Sequence, residues 1–304
     1  MQRVIVTGGS GFIGSHIVDQ LVNDGYDVTV IDNESAECNN EFYYNDKASY
    51  YKYNIEDYDL IEPLFKGVDY VFHLAAESRI QPTLDRPVKA CMTNIIGTCN
   101  ILEASRRNNI KRVIYSSTSS AYGLKNQIPL IETMQRDCLN PYSVTKAGGE
   151  DLCKMYYTLY GLETITFRYF NVYGERQPLK GQYAPVVGLF LEMKKAGNPM
   201  TVVGDGTQTR DYTYVKDVVQ ANVLAMQTNN TDALGQVYNV GTGNNHSVLD
   251  LVKMIDGDHI HLPTRLGEAH DTKADIGKIM LDLDWHPKET IENWITNYKM
   301  ENNI

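Results

Sequence analysis

The chain opens on its tightest constraint: RVIVT, from Arg3, runs straight into TGGSGFIGSH, with glycines at 8, 9, 11 and 14. Residues 3–7 read as a strand and residues 12–24 as an amphipathic helix. A strand that enters a helix through a glycine-rich turn has physical uses for those glycines. The turn is tight, the backbone must approach a pyrophosphate, and the new helix must pack closely on its own strand. Free N–H groups in the first turn of the helix then face the anion. Gly8, Gly11, Phe12, Ile13 and Gly14 are therefore expected to cradle the phosphates of a dinucleotide.

The same rhythm continues along the chain. Further β-rich runs begin at Asp27, Ser49, Asp69, Arg112, Glu163 and Gln236, and amphipathic stretches at 57–66, 88–108, 142–160 and 216–228 lie between them. Such alternation predicts an α/β fold, a Rossmann-type doubly wound parallel sheet of about seven strands with helices on both faces. Beyond residue 174 glycine and proline become frequent and the elements shorten. The expected organisation is a nucleotide domain over 1–173, with a returning segment near 213–242, and a smaller C-terminal substrate-binding lobe made mainly from 174–304.

Asp32 ends the second strand, 18 residues after Gly14. A carboxylate there can accept both ribose hydroxyls of an adenosine and repels a 2′-phosphate. Its neighbours Asn33 and Glu34 supply no cation, so NAD is expected over NADP. Asn54, Ile55 and Asp57, after the third strand, are candidate adenine-side contacts. Leu74, Ala75 and Ala76, after the fourth, form a small-residue floor for the cofactor, and His73 reads as a packed strand-end histidine.

The formal net charge is -10 and the pI about 5.2, which argues against nucleic acid and anionic membranes as partners. An anionic ligand must then be met by local cations or helix N-termini. The five cysteines are scattered without a CxxC pair, so neither zinc nor a disulfide framework is indicated. Met1 lies two residues before the first strand pattern, which leaves no room for a signal peptide. No apolar run of about 18 residues is present to span a bilayer. A cytoplasmic protein is expected.

Tyr142 and Lys146 stand four apart in PYSVTKAGGE, where Asn140 or Pro141 can open a helix. Residues at this spacing share a helix face. A fixed ammonium and a cationic nicotinamide beside the phenol favour the phenolate and make the tyrosine a usable base. The run SSTSSAYG, Ser116 to Gly123, puts hydroxyls at the end of the fifth strand, where open α/β sheets bind ligands.

TGGSGFIG, HLAA, the strand-end hydroxyl run and YxxxK, in that order, resemble the extended short-chain dehydrogenase/reductase family and its nucleotide-sugar epimerase/dehydratase branch. The resemblance covers nearly the whole chain. It implies Thr118, Tyr142 and Lys146 as the catalytic set: the tyrosine as base and acid, the threonine orienting the sugar hydroxyl, the lysine holding the nicotinamide ribose. It also implies Asn171, Arg210 and Arg265 as phosphate partners, Glu268 on the uridine ribose, and Thr272 as the residue that sets the size of the sugar pocket. Dehydratases of the branch carry Asp-Glu after the catalytic Ser/Thr, and here those positions are Ser119 and Ser120. The implied activity is reversible 4-epimerisation of a UDP-hexose through a transient 4-keto sugar. A small residue at 272 leaves room for a 2-acetamido group, so UDP-GlcNAc/GalNAc with UDP-Glc/Gal ranks first. Arg79 keeps UDP-uronic acids open as the alternative, as 4-epimerase or decarboxylase, and a non-catalytic NAD-binding regulator stands as the reading from another class. The resemblance further implies a homodimer through the helices at 88–108 and 142–160.

Overall fold

In the computed structural model, which describes residues 1–37, 39, 41–179, 185–264 and 269–304, seven strands form one sheet. They are β1 (Arg3–Thr7), β2 (Asp27–Ile31), β3 (Ser49–Tyr51), β4 (Tyr70–His73), β5 (Arg112–Thr118), β6 (Glu163–Tyr169) and β7 (Gln236–Val240). The order is β7-β6-β5-β4-β1-β2-β3 with every neighbour parallel. The strand order reverses between β1 and β4. Chains leave that point in opposite directions, which opens a crevice at the carboxyl ends of the strands.

Both faces of the sheet are covered, which is why its central strands are apolar along their length. On one face α1 (Phe12–Asn23) and α4 (Val215–Gln227) bury Ile17, Leu21, Val218 and Met226 against Val4, Phe72 and Phe167. On the other, α2 (Thr98–Arg107) and α3 (Pro141–Tyr160) bury Ile101, Leu102, Cys153 and Tyr156 against Ile5, Val71 and Tyr115. β7 forms an edge of the sheet and α4 packs on its face. A later segment, unmarked in the sequence, brings Ile279, Leu283 and Trp285 into the first of these cores. Arg112 fastens α4 to the sheet. Its Nη1 donates to the C-terminal carbonyls of Ala225, Met226 and Thr228 at 2.7–3.0 Å, while its Nη2 meets Glu163 at 2.6 Å. A cation suits that end of a helix, where carbonyls have no partner in the helix itself.

The smaller lobe has its own core, built from Phe190, Leu191, Leu251, Ile255, Trp294 and Ile295. Asp211 ties it to the sheet. This fully buried carboxylate accepts the backbone N–H groups of Thr242, Gly243 and Ala274 at 2.7–3.0 Å. Three chain segments therefore meet at one side chain, between Arg210 and Tyr212. Among the described residues no helix is long and apolar enough to cross a membrane, and no group of three or more metal-binding side chains converges.

Candidate active site

A cavity of about 1080 Å³ runs along the crevice from Asp32 at one end to Arg210 and Thr272 at the other. At the first end the glycines fold as their sequence requires. Gly8 has φ +71°, and a Cβ there would sit 2.7 Å from the amide nitrogen of Ala75. A Cβ on Gly14 would lie 2.1 Å from the Gly8 carbonyl oxygen, so only glycine lets α1 begin this close to its strand. Gly11 caps α1 and no side chain caps it with a hydrogen bond. The first-turn N–H groups of Phe12 and Ile13 are thus left to the cavity, which both residues line.

The Asp32 carboxylate lines the same wall and accepts N–H groups from Ser10 at 3.0 Å and Glu34 at 2.8 Å. Burial pushes its pKa up and these two bonds oppose that. Asn33, Ile55, Leu74, Ala75 and Ala76 line the cavity, and Tyr53 joins them. Asn54 and Asp57 are not on the wall. Asn54 instead accepts from Asn33 at 2.9 Å and donates to Asp57 at 3.2 Å, so it braces a wall residue from behind. Strand-end position alone could not separate the two roles. His73 is packed: its nitrogens meet the hydroxyls of Thr7 at 2.7 Å and Thr98 at 2.9 Å, and burial holds its pKa down to about 3.

Midway, Thr118, Tyr142 and Lys146 all face the cavity. Thr118 ends β5 and its hydroxyl accepts the Ser120 N–H at 3.1 Å, fixing its rotamer at the turn. Asn140 caps α3 by accepting from the Ser143 N–H at 2.9 Å, with Pro141 in the first position, so Tyr142 sits in the first turn. Tyr142 is partly exposed to the cavity yet deeply surrounded by protein. Burial pushes its pKa up, against the hydroxyl of Thr118 and the charge of Arg79, which lower it. The sequence makes the lysine the cation that lowers this tyrosine. In the ligand-free site burial outweighs any such help, and it acts on Lys146 itself, bringing that ammonium down to about 7. Water is the reason: both groups stand where their charged forms are poorly solvated.

Beneath Thr118, Tyr142 and Lys146 lies a buried ion pair the sequence did not disclose. Arg168 on β6 donates Nε and Nη2 to Glu150 on α3 at 2.9 and 2.7 Å, and Ser117, beside Thr118, donates to the same carboxylate at 2.6 Å. Asn94 is a second unforeseen residue. It lies in a π-helical segment, Met92–Gly97, and pairs with both the N–H and C=O of Glu77 at 2.8 and 3.1 Å. Its amide also donates to Thr145, next to Lys146, at 2.9 Å. One side chain thus couples the loop after β4 to α3.

At the far end Asn171, Arg210 and Thr272 line the cavity together with Tyr212. Arg210 Nη1 donates to the carbonyls of Thr209 and His270 at 2.9 and 2.8 Å. The hydroxyls of Thr272 and Tyr212 are buried and bond to no described residue. Arg265 and Glu268 lie outside the described residues. Arg79, Ser119 and Ser120 line the cavity beside Thr118.

The sequence profile of the NAD dependent epimerase/dehydratase family matches residues 4–241. The chain belongs to this family. A putative UDP-glucose 4-epimerase of Methanocaldococcus jannaschii is 38% identical, over 97% of this chain and 98% of its own length. The solved UDP-glucose 4-epimerase of Thermotoga maritima with UDP-glucose superposes with a TM-score of 0.92 at 36% identity, over 100% of both chains. The UDP-N-acetylglucosamine 4-epimerase of Methanobrevibacter ruminantium M1 in complex with UDP-N-acetylmuramic acid gives 0.91 at 34% identity, over 100% of this chain and 99% of that one. The family is NAD-dependent, and in this chain the glycine turn, the first-turn N–H groups of Phe12 and Ile13 and the Asp32 carboxylate line one cavity.

Proposed function

We propose that the chain is an NAD-dependent 4-epimerase of UDP-hexoses, acting on UDP-GlcNAc/UDP-GalNAc, UDP-Glc/UDP-Gal, or both. The observation that carries this reading is the continuity of the cavity. It joins the phosphate cradle and Asp32 to Thr118, Tyr142 and Lys146, and then to Asn171, Arg210, Tyr212 and Thr272. Gly8, Gly11, Phe12, Ile13, Gly14 and Asp32 would hold the dinucleotide's phosphates and adenosine ribose. When bound, NAD supplies a hydride acceptor and donor for carbon 4 of the sugar.

The chain's own residues do the rest. Tyr142 takes the proton of the 4-hydroxyl as the 4-keto sugar forms, and returns it after the sugar has turned its other face. Thr118 holds that hydroxyl at the phenol, and Lys146 holds positive charge beside it. Oxidation and reduction cancel, so no second substrate is consumed. Asn171 and Arg210 grip the diphosphate, which keeps binding energy away from the reacting ring and leaves the sugar able to turn. The unpartnered hydroxyls of Thr272 and Tyr212 offer the sugar side two bonds.

A second reading rests on Arg79, which lines the cavity closely enough for its charge to lower the Tyr142 pKa. A guanidinium there could meet the carboxylate of a UDP-uronic acid. One experiment addresses both readings. Purified protein is incubated separately with UDP-GlcNAc, UDP-Glc and UDP-glucuronate, without added reductant, and products are resolved by anion exchange and proton NMR. The expected result is the 4-epimer of a hexose, reduced at least about a hundredfold in Tyr142→Phe. Unchanged hexoses with turnover of the uronate would select the second reading, and three unchanged substrates would refute both.

We also propose a homodimer in the cytoplasm. Val88, Met92 and Ile96 recur every four residues ahead of α2, and with Val144 on neighbouring α3 they are exposed apolar side chains suited to a second copy. Light scattering at micromolar concentration should give twice the chain mass. The unpaired thiols of Cys91, Cys99, Cys138 and Cys153 suit a reducing compartment.

A further inference from the structure

We propose that Tyr115 is a positioning residue for this reaction: its ring face carries the Lys146 ammonium and keeps it charged while leaving all its donors free. The inference rests on the roles assigned to Tyr142 and Lys146 above.

Lys146 is 3% exposed, and among the described residues no carboxylate lies within ion-pair distance of its Nζ. The contact it does make is aromatic. Its Nζ stands 4.3 Å from the centroid of the Tyr115 ring, on the strand directly beneath. A buried ammonium without a counter-charge is costly, and the negative face of an aromatic ring is the cheapest partial remedy. The choice of partner matters. A carboxylate would stabilise the charge more, but it would take one or more of the three N–H donors and cancel the field at Tyr142. A ring face accepts charge from below and leaves the donors for a ribose and the field for the phenol.

The ring is built into place. The Tyr115 hydroxyl donates to the Lys146 carbonyl at 3.2 Å, so the strand residue grips the same helical turn whose side chain it supports. That bond needs Gly149, because a Cβ there would sit 2.1 Å from the Tyr115 oxygen. The two glycines after Lys146-Ala147 thus have a reason at the second position.

The surrounding titratable groups leave Lys146 as the one that changes charge near neutrality. From α3, Cys153 and Glu150 both raise its pKa; the Cys153 thiol is itself pushed up to about 12, and Glu150 is held by Arg168 and Ser117. Tyr142, also on α3, is raised. From β5, Tyr115 is raised well above its ordinary value, and from β4, His73 is lowered to about 3. Arg79, from the loop after β4, acts on Tyr142. Lys146, at about 7, is charged below that pH and loses its charge as pH rises through it. Removing the ring should move the loss to lower pH.

The test reads the lysine directly, in the ligand-free protein. With 15N-lysine labelling, the Lys146 Nζ resonance is assigned by its absence in Lys146→Arg and followed against pH. Tyr115→Phe, which keeps the ring, should leave the midpoint unchanged. Tyr115→Leu should lower it by about one pH unit, and the basic limb of kcat/KM should move with it. If the leucine variant does not fold, phenylalanines carrying one, two or three fluorines at position 115 weaken the ring face at nearly constant shape, and the midpoint should fall stepwise. A midpoint that ignores both the leucine and the fluorine series overturns the proposal. Because the titration needs no turnover, it decides the matter even if none of the sugars is epimerised.

Discussion

Glu150→Gln is the perturbation whose outcome the structure fixes best. Glu150 and Arg168 have side chains only 4% exposed, and their two hydrogen bonds, at 2.7 and 2.9 Å, are joined by one from Ser117 at 2.6 Å. A glutamine keeps the shape and removes the charge. Its amide then turns a donor towards a guanidinium that has only donors and cannot lose its proton. Breaking a buried pair from one side costs about 3–5 kcal/mol. For a chain of this length about 1 kcal/mol corresponds to roughly 2 °C, so the melting temperature should fall by roughly 6–10 °C. Arg168→Met should cost less, because the stranded carboxyl can escape by taking a proton. The double variant Glu150→Gln/Arg168→Met should be more stable than Glu150→Gln alone, since no buried guanidinium is left without its partner. Thermal and urea unfolding followed by circular dichroism measure all three. A Glu150→Gln protein within about 1 kcal/mol of the parent, or a double variant as unstable as the sum of the singles, would refute the reasoning.

Gly14→Ala sets a Cβ 2.1 Å from the Gly8 carbonyl oxygen, and displacing that turn should weaken NAD binding roughly tenfold to a hundredfold by calorimetry; unchanged affinity would mean the cradle lies elsewhere. Thr272→Tyr fills the sugar end of the cavity and should lower kcat/KM for UDP-GlcNAc relative to UDP-Glc by about ten- to a hundredfold. An unchanged ratio would remove position 272 from the pocket. His73 is held down to about 3 when folded, against an ordinary value near 6.5 when unfolded. The unfolded state therefore binds the extra proton first, and stability should fall as pH drops from about 6.5 towards 3, by at most about 1.4 kcal/mol per unit. In His73→Gln, urea midpoints should depend less steeply on pH across that window, and an identical slope would show that this histidine is not the source.

Much of the glycine-turn end of the cavity is legible in the sequence because its constraints are local. A glycine turn, a helix opening and a strand-end carboxylate are nearly consecutive, and Gly8, Gly11, Phe12, Ile13, Gly14 and Asp32 come together where the strand pattern places them. The YxxxK spacing likewise fixes Tyr142 and Lys146 on one helical face. Contacts between residues far apart in sequence are the ones it does not show. Asn54 has the strand-end position of a wall residue, and its bond to Asn33, 21 positions off, is invisible in the sequence. Asn94 and Asp211 bear no local mark at all. An asparagine in a helix and an aspartate after an arginine are ordinary until the chain brings Glu77, Thr145, Thr242 or Ala274 within 3 Å or so of them.

The order of residues was thus enough for the sheet, its glycine turn and the shared helical face of Tyr142 and Lys146, because each depends on periodicity or on spacing within a turn or two. The charges had to wait for the folded chain. Spacing has Lys146 lowering the pKa of Tyr142, yet burial raises the tyrosine and lowers the lysine to about 7. Whether a group is charged depends on how much water it has lost and which distant side chains face it. Tyr115 under Lys146 and Arg168 against Glu150 are contacts between strands and helices that meet only when the sheet has closed, and only then does the charge of Arg79 act on Tyr142.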